Sequence, residues 1–388
     1  MTDPGERLYA VACAGMFVFG MMLGLPGTVL GQSDTVAQFG LTLADRGLLI
    51  ATLFAGLLVG SFLSGALVDS LGQRLALVVS SLLVAVALPL LASASNAAVA
   101  SSVLFALGAA AASINTASNA ISSELFPEER ARRMNGIAIM VGLGGLTMPT
   151  ATVLASELVT WRAVVVGGGV LSAVVAALAV SSREAVARHD PGAARSGRTS
   201  TSAALRQFAR QPGFTWFLLL ILLAGANEAS MAGWTSTFVI ASGFSASQAT
   251  AVLSSHWLGL ILSRASFSSR VDQAKAVAVE RSAALSALAV LVLVVSGSPS
   301  LALIGPFVVG MCMALVMPTS LALAGERIRG NPGALFGVLL TVAQVGGIVL
   351  PASIGLVAEQ TSVRLGLSLL VVSFGAITLI VRRVTRDG

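Results

Sequence analysis

Apolar residues run almost unbroken through this 388-residue chain, in stretches of about 20 between short polar breaks. About 20 apolar residues is the length an α-helix needs to cross the hydrocarbon of a bilayer. The pattern predicts twelve spanning helices, at about 8–30, 46–68, 75–95, 98–122, 134–157, 162–181, 213–240, 247–268, 276–296, 300–323, 333–358 and 363–381. The runs are continuous, not alternating, and an open sheet edge cannot sit in hydrocarbon, so the expected class is all-α. The first run is too long for a signal-peptide core and no small-residue cleavage site follows it, so it is expected to stay.

One long polar stretch, residues 182–212, divides the spans six and six. The expected organisation is an N-terminal half (1–181), a cytoplasmic linker (182–212) and a C-terminal half (213–388). Composition supports lipid as the solvent: 56% of residues are hydrophobic and 10% charged, against roughly 25% charged in a soluble domain. Cys13 and Cys312 both fall inside apolar runs, which argues against a disulfide framework. The net charge of +6 does not point to nucleic acid, because the basic residues are confined to particular loops. Twenty lysines and arginines share a face with the termini; only Arg46, Arg162 and Arg364 lie opposite. The excess of basic residues marks the cytoplasmic side, so both termini are expected in the cytoplasm of a cell (inner) membrane protein.

The chain also repeats itself. "VGLGGLTMP" (141–149) and "AQVGGIVLP" (343–351) each carry a Gly-Gly pair with Pro four residues after the second glycine, 202 residues apart. They fall on the fifth span of each half. "ELFPEERARRMNG" and "AGERIRGNPGALFG" precede them in matching positions. Two parallel six-helix halves with a cavity between them are a transporter architecture. Glycine pairs permit close approach, and proline interrupts the backbone ladder where neighbours can repair it.

"GALVDSLGQRLAL" (65–77), between the second and third spans, resembles the loop signature of the major facilitator superfamily. Gly65, Asp69, Gly72 and Arg74 match; Ser70 and Gln73 replace usual basic residues. The resemblance implies the major facilitator fold, with two six-helix pseudo-symmetric halves. It also implies that Asp69 and Arg74 latch the cytoplasmic ends of the halves. Glu124 and Arg130, of opposite charge near the same end, are expected to be partners at the cytoplasmic gate. "GANEASMAGWTSTFV", "HWLGLILSR" and "INTASNAISSELFPEERARRMN" resemble the seventh, eighth and fourth spans of the fucose–galactose–glucose/proton symporter group. Asn115 stands where that group has an acid, and the first span also lacks one.

Glu228 is the acid placed near mid-span, where a carboxylate is costly unless it faces a cavity or is neutralised. It is the candidate proton-coupling residue, with His256 as a possible partner in sharing the proton. Candidate substrate contacts are Asn115 and Asn119 (one turn apart), Asn227, Glu228, Trp234, His256, Trp257 and Gln344. Paired amides can bind vicinal hydroxyls, and indoles can stack on a sugar's apolar face. The expected function is secondary transport of a small polar organic solute, foremost a sugar, by alternating access. Proton coupling or facilitated diffusion would drive it, and the rival is proton-driven efflux of amphipathic drugs or metabolites. No phosphate-binding Gly-rich loop, metal-ligand spacing or nucleophile–base motif occurs, so no ATP site, metal, cofactor or enzyme activity is expected. The partners expected are the substrate, protons as candidate coupling ion and the bilayer, with the chain a monomer.

Overall fold

The computed structural model describes residues 4–125, 130–182, 201–267, 274–329 and 332–386. Among these residues every regular element is helical: α1 Pro4–Leu30, α2 Ser33–Phe39, α3 Leu43–Leu71, α4 Gln73–Ala92, α5 Ala97–Leu125, α6 Arg130–Leu154, α7 Trp161–Ser181, α8 Thr201–Ala209, α9 Phe214–Ala241, α10 Ala246–Phe267, α11 Lys275–Val295, α12 Pro299–Met313, α13 Val316–Arg327, α14 Pro332–Gln360 and α15 Val363–Arg386. Eleven of the described segments are long and apolar enough to cross a membrane. The remaining span is α10, whose serines, His256 and Arg264 dilute its apolar character, although its 22 residues are enough to cross.

Local chemistry sets the helix ends. Thr42 and Asp45 form a reciprocal capping box that starts α3 three residues before the apolar run. Gly72 separates α3 from α4 with φ at 80°, a left-handed conformation that explains the glycine in the loop signature. The tenth span, expected as one helix over 300–323, is broken into α12 and α13. Pro318 has no N–H to give the Ala314 carbonyl four residues before it, and the ladder opens there.

Basic residues at helix starts cap the ends of antiparallel neighbours. Arg74 near the start of α4 donates to the Ala179 and Val180 carbonyls at the end of α7, at 3.3 and 2.9 Å. Arg162 at the start of α7 returns the favour, donating to the Ala92 carbonyl that ends α4 at 2.6 Å. A cation at a helix C-terminus satisfies orphan carbonyls and opposes the negative end of the helix dipole. Arg364, 202 residues after Arg162, makes the matching bond to Gly297 beyond α11.

The Gly-Gly repeats pack in equivalent ways. The first glycine of each pair lies against the first span of its own half. A side chain on Gly144 would strike the Phe17 carbonyl of α1, and one on Gly346 the Leu222 carbonyl of α9. The second glycine receives an aromatic ring from the other half. Trp257 of α10 lies over Gly145, and Phe54 of α3 lies over Gly347, with a methyl carbon at 145 placed about 2.7 Å from the indole. Phe54 and Trp257 are themselves 203 residues apart. With lipid outside, such close backbone and ring contact replaces the hydrophobic drive that packs helices in water.

Candidate functional site

At the end of the molecule opposite the termini, the two halves bond to each other. Gln32 after α1 donates to the Thr250 hydroxyl of α10 at 3.3 Å, and Glu359 of α14 accepts the Leu43 and Ala44 amides that open α3 at 2.7 and 3.3 Å. At the other end several ion pairs close within a single half: Arg133–Glu6 at 2.5 Å, Lys275–Glu326 at 2.8 Å and Arg382–Glu280 at 2.7 Å. Arg74 also stays within its half as the cap of α7, so in this state its bonds do not bridge the halves. The side chains of Asp69, Glu124 and Arg130 lie outside the described residues.

Between the ends, halfway along α9, stands Glu228. Its carboxylate faces Arg264 of α10 at 3.4 Å, and both side chains keep about a quarter of their surface exposed (23% and 25%). Arg264 is held from behind: its Nε donates at 3.0 Å to the Ala314 carbonyl, the one that Pro318 leaves without a helical partner. The break in the tenth span thus anchors the guanidinium at Nε, and Nη2 is turned towards Glu228. Sequence reasoning missed this pairing by assigning Arg264 to the basic end of its helix. The signal was there in a proline four residues after Ala314, which frees an acceptor inside the membrane.

His256 does not join Glu228. It sits two turns from Arg264 on α10, buried, with Nδ1 bonded to the Pro306 carbonyl of α12 at 3.0 Å and its backbone against Gly310. Trp234 is fully buried and donates its indole N–H to the Pro351 carbonyl at 3.1 Å, tying α9 to α14. Trp257 is buried over Gly145, its indole N–H without a partner among the described residues. In this state neither indole offers a face for stacking. Asn119 turns back on its own helix, its amide donating to the Asn115 carbonyl and to the Asn115 side chain, both at 2.8 Å. The pair is half-buried and shares one face of α5.

Asn227 differs from these. It is completely buried, and neither its amide nitrogen nor its oxygen has a hydrogen-bond partner among the described residues. The Gln344 Oε1 on α14 is likewise buried and unpartnered. The two helices touch here: Gly225 seats against Ala343, and Gly346 against Leu222 and Ala226. Buried amides without partners are costly, and such groups are kept where a ligand, water or alternate conformation satisfies them.

A family model described as Major Facilitator Superfamily matches residues 12–351. No curated protein matches the chain in sequence. Solved structures match over the whole fold at low identity. A variant of the nucleoside transporter NupG aligns with TM-score 0.77 and 14% identity, covering 99% of this chain and all of that one. A bacterial homolog of the human lysosomal transporter Spinster, inward-facing and occupied, aligns with TM-score 0.75 and 14% identity, covering 100% and 98%. A variant of the E. coli fucose:proton symporter FucP aligns with TM-score 0.67 and 15% identity, covering 98% and 99%.

Proposed function

Because the chain belongs to the Major Facilitator Superfamily and is a membrane transporter rather than an enzyme, we propose that it moves a small polar organic solute, a sugar foremost, by proton-coupled alternating access. The halves 1–181 and 213–388 rock about a central site, joined by the linker 182–212. The arginine excess on the terminal face supports a reading with both termini cytoplasmic and the chain in the inner membrane. On the same reading Asp69, Arg74, Glu124 and Arg130 hold the terminal face shut in the opposite state of the cycle, and the chain acts as a monomer.

The observation that carries this reading is the Glu228–Arg264 pair. It lies within the spans, is partly exposed, and is closed by one long contact that a proton can break. Protonation at a Glu228 oxygen removes its negative charge and releases it from Arg264, while Arg264 stays bonded to Ala314. Loss of the proton on the other side of the membrane restores the pair. Asn227 supplies an unpaired amide donor and acceptor, and Gln344 an unpaired acceptor, for hydroxyl groups. Asn115 and Asn119 supply a second amide pair from the opposite half, available once their mutual bond is exchanged for a solute. Trp234, Trp257 and His256 then shape the site from behind. Among the structural neighbours, one is named for nucleoside transport and one for fucose with a proton, in keeping with a polar, hydroxylated solute.

The experiment is uptake into proteoliposomes across a panel of labelled sugars, nucleosides, drugs and organic acids, with and without a pH gradient. Glu228→Gln keeps size and hydrogen bonding but cannot cycle a proton. It should lose gradient-driven accumulation and keep exchange of labelled for unlabelled substrate, which needs no net proton movement. Accumulation at the wild-type level in the Gln variant would remove Glu228 from the coupling role.

A further inference from the structure

The contact that closes the outer end, opposite the termini, is asymmetric, and the asymmetry is written in the repeat. Glu359 lies eight residues after Pro351, and Glu157 lies eight residues after Pro149, so the two acids are 202 residues apart and occupy equivalent places. Their surroundings differ. α14 continues to Gln360 and carries Glu359 on its last turn, whereas α6 ends at Leu154 and leaves Glu157 exposed in the following turn. The Glu157 carboxylate makes no hydrogen bond or ion pair among the described residues. Glu359 crosses to the other half and accepts the amides of Leu43 and Ala44 at 2.7 and 3.3 Å.

The helices explain the difference. α3 and α14 cross in backbone contact because Gly47 and Gly355 face each other; a side chain at 355 would sit 2.8 Å from the Leu43 carbonyl, and one at 47 would sit 2.6 Å from the Pro351 carbonyl. The equivalent positions on α10 and α6 are Thr250 and Val153, so neither glycine of the pair is repeated there. Each N-terminus has its own capping box, Thr42 with Asp45 on α3 and Ser245 with Gln248 on α10. A capping box satisfies the N-cap and N3 amides and leaves N1 and N2 open. On α3 those open amides are Leu43 and Ala44, and Glu359 takes both. Arg46, one turn along α3, adds positive charge within electrostatic reach of Glu359; the equivalent residue on α10 is Ala249.

We propose that Glu359 is the outer latch of the transport cycle: a single charged clasp on the N-terminus of α3 that must be released each time the outer face opens, with Glu157 playing no such part. A carboxylate is favoured at a helix N-terminus by the dipole and by the two amides it accepts. The bond joins two bodies that separate in alternating access, so its strength sets the balance between outer-closed and outer-open states.

The reporter is Ser236 of α9, fully buried against Gly31 of α1 at the closed end. Ser236→Cys, in full-length purified protein with Cys13→Ser and Cys312→Ser, reacts with a maleimide only when that end opens. Glu359→Gln should raise the labelling rate about two- to fivefold, the shift expected from losing the charge of an exposed carboxylate clasp. Glu157→Gln should leave it unchanged. Leu43→Pro tests the same bond from the donor side. Leu43 is the first residue of α3, where proline is accommodated, and Thr42 before it is extended (φ −71°, ψ 171°), as a residue before proline must be. Leu43→Pro should therefore open the end more than Leu43→Ala, which keeps the N–H. In combination with Glu359→Gln it should add little. The proposal falls if folded Glu359→Gln labels like the parent, if Glu157→Gln has an equal effect, or if Leu43→Pro and Leu43→Ala label alike. The last comparison decides the matter should Glu359→Gln fail to fold.

Discussion

Arg264 has two partners, and the structure says which one matters for stability. The bond from Nε to the Ala314 carbonyl is 3.0 Å, and that carbonyl has no helical donor because Pro318 stands four residues on. Hydrogen bonds to charged groups contribute about 1.5–3 kcal/mol. The contact to Glu228 is longer, 3.4 Å, and its members are about a quarter exposed, so screening limits it to about 1 kcal/mol or less. Arg264→Ala should therefore cost about 2–4 kcal/mol: it removes the stronger bond, orphans a carbonyl inside the membrane and leaves Glu228 uncompensated. Glu228→Gln should cost no more than about 1 kcal/mol. Pro318→Ala should partly rescue Arg264→Ala, because an alanine N–H can close on the Ala314 carbonyl, and the same change in the parent should matter less. The assay is chemical denaturation of the purified variants in detergent, followed by helical circular dichroism and arranged as double-mutant cycles. The reasoning is refuted if Glu228→Gln destabilises as much as Arg264→Ala, or if Pro318→Ala gives no rescue. Either result would mean that the ion pair, not the freed carbonyl, holds the guanidinium.

Two further outcomes follow from the packing. Gly144→Ala and Gly346→Ala should each lower stability by about 1–3 kcal/mol, since their methyl groups would meet backbone carbonyls that cannot rotate away. Gly337→Ala, with open space around it on α14, should be neutral or stabilising by up to about 1 kcal/mol through helix propensity; comparable losses at all three sites in the same denaturation assay would contradict the close-approach account. Arg74→Gln removes the charged cap from α7 and should cost about 0.3–1 kcal/mol. Amide exchange should then quicken at the last turn of α7 and stay unchanged in α14; a response spread evenly over both halves would argue against a local cap.

Much of the architecture was legible in the sequence. Lipid demands long apolar helices with all backbone groups satisfied, so the run lengths alone gave the all-helical class and the positions of the spans. The Gly-Gly-Pro repeat gave the relation between the halves, because both copies of the fold must place small residues where two helices touch. Glu228 stood out because a mid-span acid is expensive.

Tertiary structure decided the rest. Whether Trp257 faces a solute or lies on Gly145 depends on how α10 meets α6, and no local rule fixes that angle. Whether His256 or Arg264 meets Glu228 depends on a carbonyl freed on a third helix. Asn115 and Asn119 share a face by spacing alone, but only the folded chain shows them spending their amides on each other. Glu359 and Glu157 look alike in sequence, and the structure separates them: two glycines let α3 and α14 touch, and α14 runs one turn further than α6. Periodicity and composition act within one helix, where the sequence holds all the terms. The partner of a buried polar group is set by the relative placement of helices far apart in the chain, and that is fixed only when the whole bundle packs.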